Sequence, residues 1–156
     1  MTVEWRRGDY RISTDPSLLS LDAVESLLGT SYWAADRLRE TIQKSIRHSL
    51  YYGLYCGEKQ VGFARAVTDH ATFYWLCDVV VDEAHRGHGL GKWLVECVVN
   101  TQELEGLVGL LATRDAQSLY ERYGFAMPED PSRLMWLRPA NRRGTRRDSP
   151  ASLPGG

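Results

Sequence analysis

The stretch that decides the fold is residues 79–94, VVVDEAHRGHGLGKWL. Its first three residues are β-branched and apolar, which is typical of a buried strand. A glycine-rich turn follows, and apolar side chains then recur with the period of a helix, at Leu90, Trp93, Leu94, Cys97 and Val98. A strand, a glycine loop and a helix N-terminus together favour a phosphate ligand, because backbone N–H groups and the positive end of the helix dipole face the loop. The sequence has no carboxylate between Gly87 and Val95 that would compete with an outside anion.

The spacing of this loop excludes two common phosphate-binding motifs. A nucleoside-triphosphate loop needs a Ser or Thr after Gly-Lys, and Trp93 stands at that position. A dinucleotide loop needs Gly-x-Gly-x-x-Gly, which counting from Gly87 or from Gly89 does not give. The pattern that is present is Arg86-x-x-Gly89-x-Gly91. The alternative is a glycine-rich turn that only joins a strand to a helix.

This pattern resembles the acetyl-CoA loop of the GCN5-related N-acetyltransferase (GNAT) family, which is Gln/Arg-x-x-Gly-x-Gly/Ala after a strand ending in Val. The resemblance implies acetyl-CoA as the acetyl donor. It also implies that the exposed backbone of Val79, Val80 and Val81 pairs with the pantetheine arm. The loop that would hold the pyrophosphate consists of Arg86, Gly87, His88, Gly89, Leu90, Gly91 and Lys92. Glycine suits such a loop because, without a Cβ, the backbone can approach the ligand closely.

A second segment, residues 115–125, DAQSLYERYGF, strengthens the resemblance. It predicts a short helix that ends at a glycine, after the apolar run of residues 107–112. The family carries Asn-x-x-Ala-x-x-Leu-Tyr-x-x-x-Gly-Phe here, and the matches are Ala116, Leu119, Tyr120, Gly124 and Phe125. Thr113 replaces the family's Asn; it keeps one donor and one acceptor on a shorter side chain and is the candidate cofactor contact at this position. In the family, the tyrosine at the position of Tyr120 protonates the departing thiolate; the alternative is that Tyr120 only fills the apolar face of its helix.

Asp78 is a carboxylate inside the apolar run 73–81, where burial is costly without a specific role. It is a candidate general base for the acceptor amine or a binding group for a cationic substrate. A hydrogen-bonded structural Asp is the alternative. The resemblance also implies that a backbone N–H near Val79 or Val80 polarises the thioester carbonyl, as an oxyanion hole does.

The candidate acceptor-binding residues are Tyr32, Trp33, Arg65 and Tyr74. Tyr32 and Trp33 either pack over the amine or fill the core. Arg65 either binds a substrate carboxylate or pairs with Asp78 or Asp69. The sequence does not separate a small-molecule amine from a peptide N-terminus or a lysine.

The order of predicted elements indicates an α/β domain with a mixed, mostly antiparallel, twisted sheet flanked by helices. We expect strands at 10–13, 50–56, 60–68, 72–81 and 107–112, and a last strand near 134–137. Helices are expected at 18–28, with Ser17 as N-cap, and around Leu38, Ile42 and Ile46. The GNAT-like domain then covers residues 1–138, and residues 139–156 form a disordered, arginine-containing tail.

Composition fits one globular domain, since 43% of the 156 residues are hydrophobic and 25% are charged. Three cysteines without paired spacing indicate a reducing, cytoplasmic location. We expect no metal, no membrane and no nucleic-acid partner, and a homodimer is compatible with the sequence. The net charge is −1 although the tail carries four arginines and one aspartate, so the body is acidic, which mildly favours a cationic acceptor.

The resemblance carried by the two motifs implies an N-acetyltransferase that moves the acetyl group of acetyl-CoA directly to a primary amine in a ternary complex. No cysteine stands in the motifs as an acyl carrier, which favours direct transfer. The alternative is a non-catalytic regulatory module that binds acyl-CoA.

Overall fold

The computed structural model describes residues 1–146, which form one six-stranded sheet with helices on both faces. The strands are β1 Glu4–Arg7, β2 Tyr10–Ser13, β3 Leu50–Cys56, β4 Lys59–Thr68, β5 Phe73–Val81 and β6 Val108–Leu110. The α-helices are α1 Leu21–Gly29, α2 Arg39–Arg47, α3 Leu90–Val99 and α4 Gln117–Glu121. Single 3₁₀ turns lie at Glu83–His85, Gln102–Leu104 and Pro131–Arg133. The strands follow chain order, and every pair is antiparallel except β5 with β6, so the predicted fold class is confirmed.

The N-terminal elements differ in detail from the predicted ones. A strand, β1, precedes the predicted first strand; its sequence, EWRR, has one apolar residue and gives no alternation to detect. Helix α1 begins later than expected because Ser20 is its N-cap, with its Oγ accepting from the Ala23 N–H at 3.1 Å. The Ser17 hydroxyl instead donates to Asp15.

Helices cover the sheet on both faces. The predicted apolar face of α3 is buried in one core cluster, which includes Trp93, Leu94 and Tyr52. Helices α1 and α2 bury Val24 and Ile42 in a second cluster, together with Phe63 of β4 and Val80 of β5. The central strands β4 and β5 are therefore covered on both sides, which explains their long apolar runs.

A β-bulge in β5 decides which way its side chains point. Phe63 is paired with Val80 and Arg65 with Cys77, so two residues of β5 oppose one residue of β4. Asp78, at the bulge, has φ of 56°, a left-handed conformation that Asp adopts more readily than most residues. The extra residue reverses the alternation, so that Asp78 and Val80 face α1 and α2 while Tyr74 and Leu76 face α3.

The C-terminal segment is partly paired with the rest of the domain. Residues 134–137 form no strand, which corrects the expected last strand; they follow the turn Pro131–Arg133 as irregular chain. Further on, the Leu38 N–H donates to the Gly144 carbonyl at 3.0 Å, and Thr145 forms a bridge with Arg37 and is only 3% exposed. Residues 147–156 of the predicted tail lie outside the described residues, and the boundary at 138/139 stays a prediction.

The helices within residues 1–146 all lack the length and hydrophobicity needed to cross a membrane.

Candidate active site

A cavity of about 1100 Å³ opens where β5 and β6 separate. The two strands pair only from Phe73–Val108 to Trp75–Leu110. Beyond that point β5 continues to Val81, whereas the chain after β6 turns away into α4. The cavity is lined by residues of β5 (75–81), the segment after β6 (112–116), α4 (Leu119, Tyr120), the loop between α1 and α2 (Tyr32, Trp33, Arg37), Arg65, Gly91 and the C-terminal segment (136–139, 142, 143).

Most of the predicted site residues meet at this cavity. Those that line it are Asp78, Val79, Val80, Val81, Gly91, Thr113, Tyr120, Tyr32, Trp33 and Arg65. Arg86, Gly87, His88, Gly89, Leu90 and Lys92 do not line it and lie next to Gly91 in the loop at its edge. Tyr74 is not brought to the cavity.

The glycine loop leaves backbone donors free. Gly87 and Gly89 have φ of 88° and 71°, and a Cβ at Gly87, Gly89 or Gly91 would meet no atom within 4 Å. Within the described part of the chain, the N–H groups of residues 87–92 donate to no backbone carbonyl. Helix α3 begins at Leu90 with no acidic residue in its first turn. An anion can therefore approach the loop closely and meet N–H groups and the helix dipole.

Arg86 fixes the loop to the end of β5, since its Nε donates to the Val81 carbonyl at 3.2 Å. The loop and the free edge of β5 thus form one continuous surface. On the β6 side, residues 76–81 have no strand partner among the described residues. An extended ligand with amide groups can pair with that edge as an added strand would.

Asp78 is the centre of a buried ion cluster. Its side chain is 1% exposed, and Oδ2 accepts from Arg65 Nε at 2.6 Å and from Arg37 Nη1 at 2.8 Å. Oδ1 accepts from Trp33 Nε1 at 3.0 Å, and Arg65 also donates to Ser49 Oγ. Both carboxylate oxygens are therefore occupied by fixed donors.

The charge of this cluster determines what Asp78 can do. Burial raises the pKa of Asp78, but the positive charges of Arg65 and Arg37 and their hydrogen bonds outweigh burial and hold the pKa below its ordinary value. A carboxylate with a lowered pKa and two occupied oxygens is a weak general base. The contacts favour the structural alternative for Asp78, and of the two pairings expected for Arg65 they select Asp78.

Tyr120 reaches the cavity from α4 and packs edge-on against Phe125 at 6.0 Å between ring centroids. Burial raises the pKa of Tyr120 to about 12, with a smaller contribution from Tyr32. The phenol is therefore protonated at neutral pH, and its hydroxyl makes no hydrogen bond to another group in residues 1–146. Such a hydroxyl can donate a proton or a hydrogen bond to a ligand in the cavity.

Two polar residues beside Tyr120 are held by α4 and the segment before it. Thr113 Oγ1 accepts from the Ala116 N–H at 3.1 Å, so the hydroxyl that replaces the family's Asn side chain supports the start of α4. The Tyr32 hydroxyl accepts from the Arg114 N–H at 3.2 Å, and the Arg114 guanidinium lies 3.8 Å from the Tyr32 ring centroid. Tyr32 remains 52% exposed and also packs edge-on against Trp33.

The substrate contact predicted for Tyr74 is corrected. Tyr74 is 6% exposed, lies in the α3 core cluster and has its ring against Gly109. Strict alternation along β5 would place Tyr74 on the face of Asp78, but the bulge at Asp78 turns the two side chains to opposite faces.

Sequence reasoning missed several residues that line the cavity. They are Trp75, Cys77, Arg114, Asp115, Trp136, Arg138, Arg142 and Arg143. Burial raises the pKa of the Cys77 thiol to about 11, so this cysteine is protonated. Trp136 packs edge-on against Trp75 at 5.9 Å, and Arg138 lies 4.6 Å from the Trp136 ring centroid. The C-terminal residues have no periodic pattern, so no local signal indicated that they return to the site.

Comparisons with known proteins agree with this geometry. The family described as "Acetyltransferase (GNAT) domain" matches residues 47–127, more than half of the chain. A candidate acetyltransferase of Gibberella zeae, FG08082, is 32% identical over 140 residues, covering 74% of this chain and 78% of that protein. The chloroplastic GCN5-related N-acetyltransferase 2 of Arabidopsis thaliana is 40% identical over 88 residues, 51% of this chain and 34% of the plant protein.

A solved structure shows the same fold at higher identity. The crystal structure of a candidate GNAT acetyltransferase from Xanthomonas campestris superposes with a TM-score of 0.79 at 41% identity, covering 83% of this chain and 92% of that one. Sequence and structure thus agree: this chain is an acetyltransferase that belongs to the GNAT family.

Proposed function

We propose that the protein transfers the acetyl group of acetyl-CoA directly to a primary amine of a small molecule or peptide, with both substrates bound in the β5–β6 cavity. The observation that carries the proposal is that one cavity joins the unpaired edge of β5, Gly91 of the glycine loop and Tyr120. A binding module would need the loop and the strand edge, but it would not need a protonated phenol beside them.

The chain has a suitable place for acetyl-CoA as the donor. The N–H groups of residues 87–91 and Lys92 hold the pyrophosphate, because the loop glycines leave open space and free donors, whereas the Arg86 N–H donates to the Glu83 carbonyl. The backbone of Val79, Val80 and Val81 pairs with the amides of the pantetheine arm. Thr113 lines the same cavity and contributes a further polar contact.

In the transfer, the lone pair of a neutral amine attacks the thioester carbonyl carbon; the new C–N bond forms and the C–S bond breaks. A backbone N–H at Val79 or Val80 stabilises the charge that develops on the carbonyl oxygen. Tyr120 donates its proton to the departing thiolate, and the acceptor nitrogen loses its extra proton to water. The Tyr120 hydroxyl must lie beside the sulfur to transfer its proton, because a phenol with its pKa raised to about 12 is a weak acid.

Asp78 is assigned a positioning role in place of the base. It holds Trp33, Arg37 and Arg65 around the acceptor end of the cavity through its two oxygens. Cys77 lines the same cavity, but with its pKa raised to about 11 it is a poor nucleophile, which supports direct transfer over a covalent acyl intermediate. The three free cysteines, Cys56, Cys77 and Cys97, support a reducing, cytoplasmic location.

The experiment is thiol release from acetyl-CoA across polyamines, amino acids, aminoglycosides and short peptides, with calorimetry of CoA binding beside it. Tyr120→Phe should lower kcat about 100-fold or more while CoA affinity stays unchanged, since general acid catalysis contributes factors of that size. CoA binding with no acceptor-dependent release would instead favour the regulatory module. Release that is unchanged in Tyr120→Phe would refute the role of Tyr120.

A further inference from the structure

The cavity is lined by an excess of positive charge. Its described charged residues are two aspartates, Asp78 and Asp115, and six arginines, Arg37, Arg65, Arg114, Arg138, Arg142 and Arg143. The acidic body led us to expect a cationic acceptor. The cavity itself is positively charged, and this local charge favours an acceptor with a negative group instead.

The two aspartates do not neutralise this charge. Arg37 and Arg65 share one carboxylate, that of Asp78, and both contact its Oδ2. The Arg37 and Arg65 side chains are only 15% and 13% exposed, so within residues 1–146 one positive charge remains largely buried there without a counter-ion. Asp115 is engaged by Arg114 at 3.4 Å. A buried charge without a partner is costly, and an anionic ligand group would relieve that cost.

Arg142 and Arg143 are held at the same wall. Among the residues that the structure describes, neither forms an ion pair, and both are exposed at the cavity. Their backbone is fixed, because Gly144 and Thr145 pair with Leu38 and Arg37 and the Thr145 hydroxyl donates to the Arg142 carbonyl at 3.1 Å. Gly144 lies so close to Thr41 that a larger residue would clash there. The two guanidinium groups are therefore carried by an anchored turn beside Arg37.

Arg37 and Arg65 lie away from the place assigned to the phosphates of the donor, and the turn that carries Arg142 and Arg143 is anchored beside Arg37. Arg37 and Arg65 bind Asp78, which lies three residues before Val81, about 10 Å along the strand from the end that meets the glycine loop. The donor reaches Asp78 with its uncharged pantetheine and acetyl portion. The excess charge therefore faces the acceptor.

We propose that the acceptor is a small primary amine carrying an anionic group, a carboxylate or a phosphate, which Arg142 and Arg143 bind together with Arg37. This inference rests on the proposed function and specifies its substrate class. Both anions accept paired hydrogen bonds from guanidinium groups. The anion fixes the far end of the acceptor, so that its amine lies at the thioester beside Val79 and Tyr120.

The test compares acceptors that differ in the anion alone: β-alanine against β-alaninamide, and phosphoethanolamine against ethanolamine, at equal concentrations of neutral amine. Thiol release from acetyl-CoA gives kcat and KM for each. In parallel, calorimetry measures binding of each compound to the CoA-saturated protein. The variants are Arg142→Gln, Arg143→Gln and the double variant. The matched control is Arg133→Gln, an exposed arginine of the same C-terminal segment that does not line the cavity.

The expected result is a preference for the anionic member of a pair and a rise in its KM of about tenfold for each arginine removed, as lost charge-assisted hydrogen bonds imply. Arg133→Gln should leave the KM of the anionic acceptor unchanged, and none of the variants should change the affinity for CoA. The compound pair in which the anionic member is preferred shows whether the anion is a carboxylate or a phosphate. Turnover of the neutral amines with no preference would overturn the inference and leave the proposed function intact. No turnover with any amine would count against the proposed function, and calorimetry would then decide the inference: anionic compounds that bind no tighter than their neutral partners would overturn it.

Discussion

Replacing Asp78 with asparagine tests the buried ion cluster that shapes the acceptor end of the cavity. The substitution keeps the shape of the side chain and removes its charge, leaving Arg37 and Arg65 with no counter-ion in the cluster. Removing one partner of a buried ion pair costs about 3–5 kcal/mol. A chain of this size loses about 2–4 °C in Tm for each kcal/mol. We therefore expect Tm to fall by about 6–20 °C, within those two ranges.

The assay is thermal and urea unfolding at neutral pH, with Asp22→Asn as the matched control. Asp22 also pairs with an arginine, Arg39 at 2.6 Å, but its side chain is 86% exposed. An exposed pair contributes about 1 kcal/mol or less, so this control should change little. Adding Arg65→Met to Asp78→Asn should cost less than the sum of the single effects, because the unpaired cation is removed as well.

The pH dependence of the stability has a definite sign. The pKa of Asp78 is lower in the folded protein than its ordinary value of 3.8, so its charged form stabilises the fold above pH 3.8. That contribution is lost as the pH falls below 3.8 through the folded pKa. The stability difference between the wild type and Asp78→Asn should narrow over that interval. A loss no larger than that of Asp22→Asn at neutral pH would refute the cluster's structural role, and an unchanged Tm with kcat abolished would restore Asp78 as the general base.

Three further predictions concern the loop, the cavity thiol and the proton balance. Gly89→Glu should weaken CoA binding about 100-fold, since a like charge about 5 Å from a phosphate costs about 3 kcal/mol at an effective dielectric constant of about 20. Gly57→Glu, at a hairpin glycine with a similar φ of 60° and equally open space, is the control, and equal affinity of the two variants in calorimetry would contradict the assignment of the loop. Cys77→Ala should keep most of the activity and give intersecting initial-rate lines, whereas loss of turnover would indicate an acyl carrier. The rate should rise as the acceptor's own ammonium group loses its proton, and it should not fall up to a pH of about 10, because the pKa of Tyr120 is raised to about 12. A rise in rate at a pH that stays the same when the acceptor is changed would point to a base on the enzyme.

The sequence predicted the parts of the site that are built from local pattern. The long apolar runs predicted strands β3, β4 and β5, and the apolar residues at helical spacing predicted α3 after the glycine loop. The structure has these elements where they were expected, within a residue or two at the strand ends. The roles assigned to the loop, to Tyr120 and to Thr113 stay predictions.

What the sequence could not give depends on long-range packing. The bulge at Asp78 reverses the alternation of β5, so a rule of period two places Tyr74 on the wrong face. The anchored turn at Gly144 and Thr145 brings Arg142 and Arg143 to the cavity through pairing with residues 36–38, more than a hundred positions earlier in the chain. Neither feature has a signature within a short window of sequence.

The central claim is that the glycine loop and the unpaired edge of β5 hold the donor in one cavity with Tyr120. The most direct measurement is amide hydrogen exchange, read by NMR, with and without saturating CoA. We expect slowed exchange at residues 87–92, where donors are free in the structure, and at residues 79–81, on the edge of β5 that β6 leaves unpaired. We expect no change in the β3–β4 hairpin around Gly57. Slowed exchange elsewhere in the sheet with these two segments unchanged would contradict the claim.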